Sequence, residues 1–284
     1  MTLVRRHLVG AVALVLALAV GIALGSGPLS HESLIPTTAD QAPAQQKGDG
    51  GPTADDLAAA AAPGLYGARL EGRTVALLST PGVDQRTLEA LADGVEAANG
   101  SIAARWTAGR SLVGANDMAL VETLGSQLVE QLDGRGADPD AAAYERMGQL
   151  VGTAIASSQP EGAVPGPDVL TIRQSIDAAS LLSHDGGQPR QAPLVLLVLG
   201  GDLDDDVLEG LVTGLAARAS GVVVAAPRRD SGLAVLDELE VVTTVDGVDG
   251  AAGRLAAVLS LTRAEEDPGG SYGASGSDGM LPLG

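Results

Sequence analysis

The chain has 284 residues, 45% of them hydrophobic, and a formal net charge of −19, which gives one core of ordinary domain size inside an acidic surface. That field repels a phosphate backbone, so nucleic acid is excluded as a partner. The absence of cysteine removes disulfides, thiolate nucleophiles and soft thiolate metal sites together.

In chain order, Arg5 and Arg6 precede an uninterrupted apolar run from Leu8 to Leu24, 17 residues long. A membrane-spanning helix needs about 20 residues, with about 17 as the lower limit. A secretory h-region usually runs about 7–15. Residues 1–25 therefore read as a signal-anchor helix that crosses the cell membrane once and tethers the chain to it. Gly21, Ala23, Gly25 and Ser26 keep cleavage and export open as the alternative. Either way the positive-inside rule holds the arginines in the cytoplasm and puts the main domain outside. Residues 26–64 are a Pro/Gly-rich linker, with a brief Ala helix expected over 55–62 and stopped by Pro63 and Gly64.

Residues 65–263 read as an exported α/β domain. The run 73–80 is a buried strand ended by Pro81-Gly82, and Asp84 then precedes Leu88, Leu91, Val95 and Ala98 at helical spacing, with Gly100 as the stop. Residues 101–107 form the returning strand. The same unit recurs 120 positions later, in the strand 194–199, Asp204 in the place of Asp84, and the strand 222–226. Leu88, Glu89, Leu91 and Gly94 match Leu208, Glu209, Leu211 and Gly214, which points to two structurally similar halves. Helices are expected between the units over 116–132, 139–157 and roughly 168–182. After the second unit come a helix at 232–239, a strand at 241–245 and a helix at 251–261. The apolar set is almost entirely Ala, Val and Leu, with no Phe, which suits parallel strands under Ala-rich helices. The fold class is α/β, a mostly parallel Rossmann-like sheet covered by helices. Residues 264–284 read as a disordered Gly/Ser-rich tail.

Chemistry is harder to find. The expected strand ends Ser79-Thr80-Pro81-Gly82, Leu199-Gly200-Gly201-Asp202 and Pro227-Arg228-Arg229-Asp230 contain neither a dinucleotide loop nor a P-loop. Ser183-His184-Asp185 is no triad, and His184, the one histidine beyond the linker, reads as a solvated loop residue. Asp202, Asp204, Asp205 and Asp206 offer a hard-cation cluster or, more simply, compensation of a helix N-terminus. Arg228 and Arg229 offer a small anion site or a charged turn. Trp106 ends a strand where a large ring packs. No residue is assigned to catalysis or to a cofactor, and the metal ligands are left unknown.

Two stretches near the end are distinctive: Val242-Thr-Thr-Val-Asp-Gly-Val-Asp249 followed by Gly253-Arg254, and Gly269-Gly-Ser-Tyr-Gly-Ala-Ser-Gly276. With the N-terminal arginines and the apolar helix, they make the chain resemble the actinobacterial copper transporter MctB family. The similarity covers the N-terminal segment and Leu65 to Leu283. It implies a non-enzymatic, membrane-tethered envelope protein in copper efflux or tolerance, a role for which the family is proposed to form an outer-membrane channel. The partners it implies are copper ions, held weakly or indirectly, together with the membrane and either a second copy or another envelope protein. The alternative is a structural or partner-docking envelope module with no direct copper transport. Family members follow the membrane segment with a heptad-patterned helix, where this chain has its linker. Copper prefers Cys, Met or imidazole, and Met118, Met147 and Met280 lie far apart in the sequence.

Overall fold

The computed structural model describes residues 53–283, apart from 188, 202 and 229–231. The expected membrane helix and the linker up to residue 52 lie outside the described residues. Two compact units, Met1–Ala60 and Ala61–Gly284, divide the chain. Helix α1 (Ala54–Tyr66) opens on a reciprocal cap: the Thr53 hydroxyl accepts from the Asp56 N–H at 3.2 Å, and the Asp56 carboxylate accepts from the Thr53 N–H at 2.9 Å. These bonds hold the Asp56 carboxyl below its usual range. The helix does not stop at Pro63 as expected. Proline's fixed φ is helix-compatible, and the last turn carries Tyr66 into burial beside Gly94.

The second unit is built on a seven-stranded sheet in the order β3-β2-β1-β4-β5-β6-β7. Its strands are β1 (Thr74–Ser79), β2 (Ser101–Ala108), β3 (Leu182–His184), β4 (Leu194–Val198), β5 (Gly221–Ala225), β6 (Thr243–Val245) and β7 (Ser271–Tyr272). All pairings are parallel except that of β2 with β3. Central strands β1, β4 and β5 are almost wholly buried along their length, because helices cover both faces. The helices are α2 (Gln85–Ala97), α3 (Arg110–Val113), α4 (Met118–Gln131), α5 (Ala143–Ile155), α6 (Pro167–Ala178), α7 (Asp205–Ala216), α8 (Leu233–Leu236) and α9 (Ala251–Leu261). On one face Ala76, Leu78, Trp106, Val195, Leu197 and Val224 pack with α5, α6 and α7. On the other, α9 lies against α2, β4 and β5.

The repeated halves are β1-α2-β2 and β4-α7-β5, which leave the sheet's centre in opposite directions. Asp84 and Asp204 both cap their helices, accepting from the Arg86 and Val207 N–H groups. Three helices end in the same six-to-one turn without glycine at the left-handed position. Asn99, Asp133 and Ser180, at φ 61°, 52° and 56°, follow α2, α4 and α6, and the next N–H closes on Val95, Val129 and Ile176 at 2.9 Å each. The helix expected to run to about 182 therefore ends at Ala178, and Leu182 opens β3. The tail beyond residue 263, expected disordered, is ordered by β7, where the Thr244 and Asp246 N–H groups donate to Gly270 and Tyr272 at 2.9 and 3.0 Å.

Helices α5 and α7 cross in backbone contact through one glycine pair on each, Gly148 with Gly152 and Gly210 with Gly214. A Cβ on Gly214 would lie 2.6 Å from the Gln149 nitrogen and 2.9 Å from the Gly148 carbonyl carbon, and one on Gly152 would lie 2.7 Å from the Arg218 Cβ. Gly214→Ala is therefore expected to lower stability by about 2 kcal/mol or more, since overpacking forces the helices apart. Gly125→Ala on α4, where the nearest atom is 3.5 Å away, should be neutral or gain up to about 1 kcal/mol. Urea denaturation of both variants checks the contrast, and equal effects would count against the crossing.

Candidate functional site

A doubly wound sheet offers its crevice where the strand order reverses, here between the carboxyl ends of β1 and β4. In this chain the two loops rest on each other. The Thr80 N–H donates to the Val198 carbonyl at 2.9 Å, and the Gly200 N–H donates to the Thr80 hydroxyl at 2.8 Å. Gly82, at φ +96°, lies so close that a Cβ there would meet the Gly200 oxygen at 3.0 Å. Beneath them is an apolar cavity of about 30 Å³, bordered by Leu78, Leu112, Leu197 and Leu208 among others. Among the described residues the crevice is closed by the backbone of these two loops.

The sequence candidates disperse. Asp204 is a helix cap and Asp205 and Asp206 sit in the first turn of α7, while Asp202 lies outside the described residues. Arg228 is exposed and Arg229 is not described. Met147 is fully buried, whereas Met118 and Met280 are 49% and 41% exposed. Among the described residues no three His, Asp or Glu side chains are grouped to hold a metal ion.

The two distinctive late stretches, by contrast, converge. Asp246 follows β6, is 2% exposed, and accepts from the Ser275 N–H at 3.1 Å and from the Ser275 hydroxyl. Only glycine fits at 273, where φ is +111° and a Cβ would lie 2.8 Å from the Asp246 nitrogen. Gly253 lets α9 approach to where a Cβ would be 2.7 Å from the Asp246 oxygen, and Arg254 donates to the Val248 and Asp249 carbonyls at 3.2 and 2.6 Å. The motif residues thus tie the tail to the sheet end, which is a structural job.

A second cluster lies at the opposite edge of the sheet. His184 is not a solvated loop residue: it lies on β3 opposite Trp106, with ring centroids 4.8 Å apart at an interplanar angle of 68°. The glycines after it resemble a loop, but β2 pairs the strand before them. Arg173 of α6 sits over the same indole, its Cζ 5.0 Å from the ring centroid. Its Nε donates to the Ala154 carbonyl at 2.9 Å and its Nη1 to the Pro189 carbonyl at 2.7 Å. Burial pushes this guanidinium down to about 10. Together these side chains border a cleft of about 140 Å³. The sequence held one trace of it, the spacing of Leu170, Arg173, Gln174 and Asp177 along one face of α6.

A family model described as the copper transport outer membrane protein, MctB, matches residues 1–282. That match takes in nearly the whole sequence, and the chain belongs to this family. No curated protein matches it. None of the described helices is long and apolar enough to cross a membrane.

Replacing Asp246 by Ala removes the acceptor of two Ser275 bonds. The substitution should cost about 2–3 kcal/mol and free the terminal loop. Hydrogen exchange at residues 271–279 should rise well above that of α9, and unchanged protection would show that the carboxylate does not hold the loop.

Proposed function

We propose that this protein acts in copper efflux or tolerance at the cell envelope as a membrane-tethered, non-enzymatic α/β domain. Membership of the copper transport family, through a match over 1–282, is the observation that carries the reading. The tether is assigned to the apolar run 8–24, and the domain to the outer side of the cytoplasmic membrane, by the positive-inside rule.

Copper is cargo in this reading. The side chains give the domain little with which to hold it: no cysteine, one histidine beyond the linker, and methionines split between core and surface. The crevice between β1 and β4, where a doubly wound sheet holds its ligand, is filled by its own loops, which favours a role without turnover at that place. The domain then acts by assembling with further copies or by docking an envelope partner that conducts the metal.

Deleting the gene and measuring cell-associated copper and growth across a copper series tests this. Copper accumulation two-fold or more above the parent, reversed by a complementing copy, is the expected result. Wild-type copper in the deletion strain would favour the docking module without copper transport.

A further inference from the structure

Among the described residues, four buried side-chain nitrogens have no hydrogen-bond partner: Trp106 Nε1, Arg146 Nε, Arg173 Nη2 and His184 Nδ1. Three of the four belong to residues that line the cleft between α6 and the β2–β3 edge. Buried donors left without a partner are costly, so the two gathered at this cleft, Trp106 Nε1 and Arg173 Nη2, call for an acceptor that completes them. Trp106 is 2% and Arg173 7% exposed, and no carboxylate of a described residue lies within ion-pairing distance of Arg173. A buried, unneutralised guanidinium is costly unless a counter-anion joins it. Nε and Nη1 are already held by the backbone carbonyls of Ala154 and Pro189, which fixes the fork and leaves Nη2 without a partner.

The geometry points to this cleft as a binding site for a small monoanionic carboxylate with a short apolar tail. The Arg173 Nη2 and Trp106 Nε1 groups, both closed to solvent here, become two donors for two carboxylate oxygens once an occupant displaces the side chains over them. Leu170, Ile176, Leu182 and Pro189 supply an apolar wall for the tail. Asp177 on the same lining opposes a second negative charge, which selects against multivalent oxyanions. The 140 Å³ available matches a ligand of about six heavy atoms, given that an apolar cavity of about 150 Å³ takes up benzene. A metal cation is the wrong occupant, because Arg173 already covers the indole face.

Trp106 is the only tryptophan of the chain, so its fluorescence reports this cleft and nothing else. The purified full-length protein is titrated with sodium butyrate at constant ionic strength, with sodium chloride as the matched control. A saturable change, half-complete on the order of 1 mM, is expected with butyrate only. Asp177→Asn, at an exposed position, should tighten it by about two- to fivefold, whereas Glu209→Gln, an equal charge change on α7, should not. Arg173→Leu should abolish the response, with circular dichroism confirming its fold. Should that variant not fold, the Asp177→Asn and Glu209→Gln contrast decides alone. No saturation in the folded wild-type protein overturns the site. A response to phosphate or sulfate without one to butyrate overturns the carboxylate assignment.

Discussion

The crossing of α5 and α7 is the constraint from which the rest of the second unit follows. Two glycines on each helix bring the backbones into contact and fix where both ends of α5 lie. At its start the Tyr144 hydroxyl donates to the Gly114 carbonyl at 2.7 Å and pins the segment that follows β2. At its end the Ala154 carbonyl receives Arg173, and the Ile155 carbonyl accepts from the Ala192 N–H at 2.9 Å, which leads the chain into β4. Gln191 adds two bonds from its amide to the Thr153 and Ala156 carbonyls at 2.8 and 2.7 Å. One helix therefore sets both the entry to the central strand and the position of the guanidinium at the sheet edge. With so few aromatics, the core gains its density from close backbone approach in place of large side chains.

The sheet's two ends divide the work. At β6 and β7 the two late stretches are spent on structure, since Asp246, Gly273 and Ser275 hold the terminal loop and Gly253 lets α9 approach Asp246. At β2 and β3 the polar groups are left unsatisfied around a cleft. The stretches that carry the family resemblance and the residues of the cleft thus lie at opposite edges of the sheet, and fold alone does not assign function.

The central β-α-β units were legible because their signals are local: Asp84 and Asp204 as caps, leucines at helical spacing, and buried strands closed by Pro-Gly or Gly-Gly. β3 was not, because Ser180 ends α6 in a left-handed turn without the glycine that usually announces one. Nor was β7, since a Gly/Ser-rich composition describes a tight hydrogen-bonded loop as well as it describes disorder, and the bond that decides joins Asp246 to Ser275, 29 residues away. Closure of the crevice depends on Thr80 and Gly200, 120 positions apart. The cleft drew on β2, β3 and α6 together, so its spacing on α6 carried no meaning until the strands were placed.

A chain that serves copper efflux through copies or partners needs no tight copper site of its own. The copper content of full-length protein recovered from copper-loaded cells, measured after size-exclusion chromatography, tests it most directly. The account predicts copper far below stoichiometric with the chain. Stoichiometric copper retained through the column, and lost on mutating particular side chains, would contradict it and make the protein itself the carrier.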